Sequence, residues 1–375
     1  MAVTEVVQAL PQSKSAEAIR RAVEVIRAGG LVAFPTETVY GLGARADLPQ
    51  AVARLRRAKG RTDDRPFTVH IGRRNDVDRF VPGLKGTGRR LVDRGWPGPL
   101  TLIFSVDQPT RTPVMADLDP SAADAIYHQG TIGLRCPDHL TAARLLNEVG
   151  APVVAASANR PGRRPPHDAR DVLAELDGQV DLIVDAGPAR HAKASTIVRV
   201  DGWGYTLLRE GVYDQPTVRR LASLNVLLVC TGNTCRSPMA AAILTKLAAD
   251  SLDLAPEEVE AHGLRVLSAG AFATPGAPAS AQAVEVIQRY DMDLSDHRTR
   301  PLDADLIRQA DHILTMTQTH RRRVLELVPT AEPRCRLLAG DHDIEDPIGG
   351  SVAVYAACAE QIESALKQKL TEVLA

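Results

Sequence analysis

The sequence predicts an α/β protein built as two consecutive domains. Three observations carry this expectation. The chain has 375 residues, whereas a compact domain takes about 100–200. Short apolar runs of strand type alternate with amphipathic helical stretches along its length. The pattern also restarts after Leu207-Leu208-Arg209-Glu210-Gly211. There a polar stretch through Asp214-Gln215-Pro216 leads to a new apolar run, Asn225-Val226-Leu227-Leu228-Val229, followed by a Gly-containing loop and an Ala-rich helix.

In the first part, Ala16 to Ala28 reads as an amphipathic helix stopped by Gly29-Gly30. Leu31 to Phe34 follows as a strand, Pro35 to Gly43 as a loop rich in Thr and Gly, Ala51 to Arg57 as a helix and Phe67 to Ile71 as a strand. Apolar runs at Leu100–Phe104, Ile132–Leu134, Val153–Ala155, Leu182–Val184 and Ser195–Val200 complete a mixed sheet with helices between. Thr217 to Leu221 reads as a short connecting helix in a boundary segment near residues 212–224. The second part runs in regular order through Val226–Val229, Ala240–Ala249, Arg265–Ser268, Ala281–Tyr290, His312–Met316, Val324–Leu327 and Val352–Leu374. That order suits a doubly wound parallel sheet.

Composition narrows the function. Hydrophobic residues make up 44% of the chain and charged residues 24%, enough for real cores and against disorder over most of the length. Aromatics at 3% are too few for a protein that reads bases by stacking them on a sheet. A net charge of −1 argues against a polybasic coat for nucleic acid. No apolar run reaches the roughly 18 residues a membrane span requires, and the polar start with Glu5, Gln8, Gln12 and Lys14 has no signal-peptide block. Cysteines are sparse and odd in number (Cys136, Cys230, Cys235, Cys335, Cys358), which speaks against a disulfide scaffold. The expectation is a cytoplasmic enzyme with no membrane partner.

The sharpest local signal is Cys230-Thr231-Gly232-Asn233-Thr234-Cys235-Arg236-Ser237, leaving a strand and entering the helix that Pro238 begins. Such a loop turns backbone N–H groups inward and presents a helix N-terminus, which together hold a tetrahedral oxyanion. The same field favours a thiolate, so Cys230 is expected to be nucleophilic with a lowered pKa. Arg236 can return its planar fork to two phosphoryl oxygens. Gly232 and Asn233 tolerate left-handed backbone, and Ser237 can donate to the sulfur. Cys235 is either a partner for a reversible disulfide with Cys230 or a small filler of the loop. A leaving group needs a proton donor, and the candidate is Asp346 in the acidic loop before the last helix.

Residues 225–375 resemble the low-molecular-weight protein tyrosine phosphatase family, which also contains protein arginine phosphatases. The resemblance rests on Cys230 to Ser237, on Asp346-Pro347, on Ser268-Ala269-Gly270 and on His297 to Leu302. It implies that Cys230 forms a phosphocysteine, that Arg236 clamps the phosphoryl group, and that Asp346 acts first as acid and then as base, with no cofactor. Tyrosine-specific members usually follow Asp-Pro with aromatic residues, whereas Ile348-Gly349-Gly350 follow here. Arginine phosphatases resemble this chain in Thr231 to Ala240 and carry a threonine at the position of Thr234. The resemblance therefore favours phosphorylated proteins bearing phosphoarginine over phosphotyrosine, with phosphotyrosine the alternative. A thioredoxin-linked arsenate reductase would need a close cysteine pair, which Cys335 and Cys358 do not form.

The first part carries four separated clusters: Phe34-Pro35-Thr36-Glu37-Thr38-Val39-Tyr40-Gly41-Leu42-Gly43, Lys59-Gly60-Arg61, Trp96-Pro97-Gly98-Pro99-Leu100-Thr101 and Ser157-Ala158-Asn159. A weaker one is Ser195-Thr196-Ile197-Val198 with Arg209 beyond it. In this order they resemble the YrdC-like threonylcarbamoyl-AMP synthase family over residues 10–212. That family condenses L-threonine, bicarbonate and ATP for a tRNA modification, so tRNA-modification proteins and tRNA are implied partners. The resemblance implies that Lys59, Arg61 and Arg209 hold the ATP phosphates with magnesium bridging them, and that Ser157 and Asn159 meet the nucleotide. Thr36, His70, Arg135 and Ser195 match positions that hold threonine in relatives. Arg65-Pro66-Phe67, Ala186-Gly187-Pro188 and Arg209-Glu210-Gly211 depart from the family's usual residues. The competing reading for this half is a non-catalytic RNA-binding module.

Overall fold

The computed structural model describes residues 3–10, 12–62, 65–202 and 204–374. The chain separates into two compact units, which divide between Ala222 and Ser223. Among the described residues no helix is long and apolar enough to cross a membrane.

The first unit is a mixed sheet of ten strands among the described residues. They are β1 (Glu5–Gln8), β2 (Val32–Phe34), β3 (Gly41–Arg45), β4 (Thr68–His70), β5 (Leu100–Ser105), β6 (Thr131–Arg135), β7 (Val153–Ser157), β8 (Leu182–Asp185), β9 (Thr196–Asp201) and β10 (Gly204–Arg209). Their spatial order is β1-β8-β2-β3-β7-β4-β6-β5-β9-β10. Parallel pairs (β1 with β8, β2 with β8, β4 with β6, β5 with β9) interleave with antiparallel ones. Successive strand residues point to opposite faces, and the core divides accordingly. Val32, Phe34, Val153 and Val184 face the helices Gln12–Arg27 and Leu140–Val149. Ala33, Leu42, Val69, Leu134 and Val154 join the larger cluster on the other side.

Two strands lie where the sequence reads otherwise. β1 falls in the polar opening stretch, yet it pairs in register with β8, Val6 opposite Ile183. β3 falls at the end of the Thr- and Gly-rich segment, and its glycines suit a crowded strand. A Cβ on Gly43 would come within 2.8 Å of the Phe34 ring. The boundary segment is also more ordered than a linker. Residues 215–222 form a helix whose Val218 and Ala222 are buried in the first unit's core, so this unit extends beyond residue 212.

The second unit is a four-stranded, all-parallel sheet in the order β12-β11-β13-β14, made of β11 (Leu224–Cys230), β12 (Leu264–Gly270), β13 (His312–Thr315) and β14 (Cys335–Leu337). β11 is buried at every position, as expected of a central strand covered on both faces. Val226, Leu228 and Cys230 pack with helices Arg236–Leu252, Ala281–Ile287 and Val352–Leu374. Leu227 and Val229 pack on the other face with helices Ala304–Gln309 and Gln318–Leu327. This is the doubly wound arrangement, and it places the C-terminal end of β11 at the mouth of the unit, where ligands of such sheets bind.

Candidate active sites

Cys230 ends β11 and Arg236 begins the next helix, so residues 231–235 form the connecting loop. The Asn233 amide donates to the Cys230 sulfur at 3.1 Å, and the Ser237 hydroxyl lies 2.9 Å from it. Asn233 adopts φ +58°, and its side chain ties the loop down. Its Nδ2 donates to the Ser237 and Ser268 hydroxyls at 3.0 and 2.9 Å, and its Oδ1 accepts the Arg300 amide at 2.8 Å. Gly232 does not share the left-handed conformation expected of it. Gly270, opposite Cys230 in register, is required by close approach: a Cβ there would lie 2.7 Å from the Thr231 carbonyl oxygen and 2.9 Å from the Asn233 nitrogen.

Arg236 is buried. Its Nη1 donates to the Ile344 carbonyl at 3.0 Å, and its Nη2 donates to Thr231 Oγ1 at 2.9 Å and to the Asp346 carboxylate. The structure thus brings together Cys230, Arg236 and Asp346, which lie far apart in sequence. The expected lowering of the Cys230 pKa is not found. Burial pushes the thiol up, opposed by the Ser237 and Asn233 contacts and by the Arg236 cation. The physical reason is burial: taking the sulfur out of water penalises the charged thiolate by more than these contacts favour it. Cys235 is a free thiol, as is Cys230, and its sulfur contacts the Tyr355 hydroxyl at 3.2 Å and Thr234 Oγ1 at 3.4 Å. His320, which sequence reasoning missed, lies 3.0 Å from Thr231 Oγ1.

In the first unit a cavity of about 250 Å³ lies across the middle of the sheet. Thr36, Arg61, His70, Arg135, Ser157, Ser195 and Arg209 line it together with Thr101, Phe67 and Ala156. Arg209 donates to the Ser195 carbonyl at 2.7 Å, and burial beside Arg135 pulls its pKa down. Ser195 Oγ lies 2.9 Å from Thr101 Oγ1. Burial, then Arg135, lowers the His70 pKa to about 3, so its ring is neutral and its Nδ1–H donates to the Thr68 carbonyl at 3.1 Å. Arg61 stacks on the Phe67 ring at 4.8 Å. Arg135 Nη2 donates to Thr38 Oγ1 at 2.6 Å and to the Glu37 carboxylate at 2.9 Å, while Arg135 Nε is buried without a protein partner. Glu37, 1% exposed, is a second residue that sequence reasoning passed over.

Lys59 and Asn159 stand apart from the cavity wall. The Lys59 ammonium donates to the Ser157 carbonyl at 2.5 Å and to the Asn159 carbonyl, and burial followed by Arg61 lowers its pKa to about 8. Asn159 Nδ2 donates to the Arg163 carbonyl at 2.7 Å. Both residues organise the turn after β7 rather than facing the open space.

Residues 24–211 match the Sua5/YciO/YrdC family, described as Telomere recombination. Residues 225–375 match the family of low molecular weight phosphotyrosine protein phosphatases. The chain belongs to both families and fuses them. Its Sua5/YrdC half is similar to a threonylcarbamoyl-AMP synthase of Pyrococcus abyssi, 36% identical over 193 residues, covering 52% of this chain and 54% of that protein. The chain thus spans about half the length of the first curated relatives it matches. Its phosphatase half is similar to a protein-arginine-phosphatase of Geobacillus stearothermophilus, 38% identical over 154 residues, covering 40% of this chain and 95% of that one. A solved structure of P. abyssi Sua5 complexed with L-threonine shares the fold at a TM-score of 0.50 and 21% identity, covering 97% of this chain and 98% of that chain. The α/β class and the fusion expected from the sequence are borne out, and both halves belong to enzyme families.

Proposed function

We propose that the chain carries two activities. The Sua5/YrdC half joins L-threonine, bicarbonate and ATP into threonylcarbamoyl-AMP with release of pyrophosphate. The phosphatase half hydrolyses phosphorylated protein side chains through a phosphocysteine, with phosphoarginine preferred.

The observation that supports the first activity is the cation-walled cavity with one donor left over. Arg61, Arg135 and Arg209 converge on it, and the unpartnered Nε of Arg135 is a buried donor that an anionic ligand would satisfy. The cavity wall offers no obvious covalent nucleophile, so catalysis rests on positioning and charge neutralisation. Arg61 and Arg209 serve the phosphates. Lys59 acts one layer back by fixing the Ser157–Asn159 turn. Thr36, His70, Arg135 and Ser195 form the threonine end, in keeping with the ligand named for the P. abyssi structure. Among the described residues no group of three or more His, Cys, Asp or Glu is placed to hold a metal ion. Magnesium, where it takes part, would enter with the ATP phosphates.

In the second activity the Cys230 sulfur attacks phosphorus, and the leaving nitrogen or oxygen takes a proton from Asp346. Water then attacks the phosphocysteine, Asp346 accepts its proton, and phosphate departs. Thr234 at the loop rim supports the phosphoarginine preference, since its small hydroxyl leaves room for a guanidinium. We place the protein in the cytoplasm, working with tRNA-modification partners. The test is an assay of the full chain. We expect pyrophosphate release from ATP that requires both threonine and bicarbonate, and a higher kcat/KM on phosphoarginine than on phosphotyrosine peptides. Pyrophosphate release indifferent to threonine would refute the first activity, and a phosphotyrosine preference would refute the stated specificity.

A further inference from the structure

His320 is 3% exposed and stands in the first turn of the helix Gln318–Leu327. Its Nε2 lies 3.0 Å from Thr231 Oγ1 and its Nδ1 lies 3.0 Å from Thr317 Oγ1, the residue that caps this helix. Thr231 Oγ1 is in turn 2.9 Å from Nη2 of Arg236. The guanidinium can only donate, so the Thr231 hydroxyl accepts from Arg236 and keeps its own hydrogen to give. In the Nδ1–H tautomer that hydrogen goes to Nε2 and Nδ1 donates to Thr317. Burial and the nearby Arg236 cation hold His320 neutral, with a pKa near 4, which is the state in which Nε2 can accept.

Nη2 of Arg236 has two hydrogens. One points to Thr231 and the other is taken by Asp346, while Nη1 is held by the Ile344 carbonyl. A phosphoryl oxygen entering the loop competes with Asp346 for its hydrogen. Asp346 must also leave Arg236 in order to protonate a leaving group. The Thr231 arm is the side-chain contact on Nη2 that persists through this exchange. We infer that His320 is a positioning residue of the phosphatase site, holding Arg236 in line through Thr231 while Asp346 turns to the substrate. The inference rests on the phosphatase reading above and assigns His320 no contact with the reacting atoms.

The experiment titrates inorganic phosphate into the full chain by calorimetry. A hydrogen bond between neutral groups is worth about 0.5–1.5 kcal/mol, so His320→Ala should weaken phosphate binding roughly 2–10-fold. His320→Gln places an amide oxygen near the position of Nε2 and should recover most of the loss. Thr231→Val, at an exposed position that leaves the core intact, should show the same weakening, and adding His320→Ala to it should cost little more, because both act through one contact. Unchanged phosphate affinity in His320→Ala, or fully additive losses in the double variant, would overturn the inference. Hydrolysis of a phosphoaryl ester by the parent chain is scored separately. Its absence would count against the phosphatase reading, while the phosphate titration would still decide the role of His320.

Discussion

Asp346 illustrates how one carboxylate can serve two states. In the structure it is paired with Arg236; in the proposed reaction it carries the proton of the leaving group. Asp346→Asn keeps the shape and removes the proton, and should slow hydrolysis of substrates with poor leaving groups by about 10²–10⁴, the worth of a positioned general acid. The defect should shrink for nitrophenyl phosphate, whose leaving group needs no proton. Equal defects on both substrates would argue against the acid role. His70 makes a prediction of a different kind. Its folded pKa of about 3 lies below the ordinary 6.5, so between these values the unfolded chain binds a proton that the folded one refuses. Stability should fall as pH drops through that window, by up to about 1.4 kcal/mol per pH unit from this group. Both tryptophans belong to the first unit's sequence, so their fluorescence in denaturant reports this unit. His70→Gln should give a shallower acid slope, and an unchanged slope would contradict the assignment. The Cys230 to Ser237 loop could be read from sequence as a unit because one turn supplies its donors contiguously. Glu37 and His320 could not, since Glu37 meets Arg135 and the Asp138 amide about a hundred positions away, and His320 reaches Thr231 from 89 positions away.

Elements were legible where burial made the pattern simple. β11 is an unbroken apolar run because helices cover both its faces. The last helix, Val352–Leu374, keeps its helical register over 23 residues. β1 escaped because Glu5 and Gln8 flank only two valines at a sheet edge, and its partner β8 lies far along the chain. β3 escaped because Gly41-Leu42-Gly43 resembles a turn until Phe34 is packed against it. The glycine at the end of β12 was read only as part of a family motif, yet its physical role is direct. Gly270→Ala would press a methyl group against the backbone of Thr231 and Asn233 in the loop after Cys230. Overpacking of this kind costs about 1–3 kcal/mol. We therefore expect a clear loss of phosphatase turnover together with weaker phosphate binding, with threonine-dependent pyrophosphate release untouched. A Gly270→Ala variant with normal turnover would show that the loop has slack that its tight backbone contacts do not suggest.

The two units draw on separate cores. Among the described residues, the clusters around Leu42 and Phe34 end at Ala222, those around Leu228 and Val229 begin at Leu224, and none belongs to both sets. Each unit also holds its own candidate site on its own sheet, with the cations that each chemistry needs supplied locally: Arg61, Arg135 and Arg209 in one, Arg236 in the other. Chemistry assembled from separate cores should fail separately. Arg61→Ala removes a cation from the cavity and should reduce threonine-dependent pyrophosphate release on the order of 10²-fold or more, the scale of losing a charge-stabilising group, with phosphatase activity within twofold of the parent. Cys230→Ser removes the proposed nucleophile and should abolish phosphatase turnover while pyrophosphate release stays at the parent level. Both assays are run on the same preparations of full-length chain, so that misfolding would appear as a joint loss. A variant that lowers both activities while retaining its unfolding midpoint would refute the independence of the two sites, and would mean that occupancy of one is felt at the other.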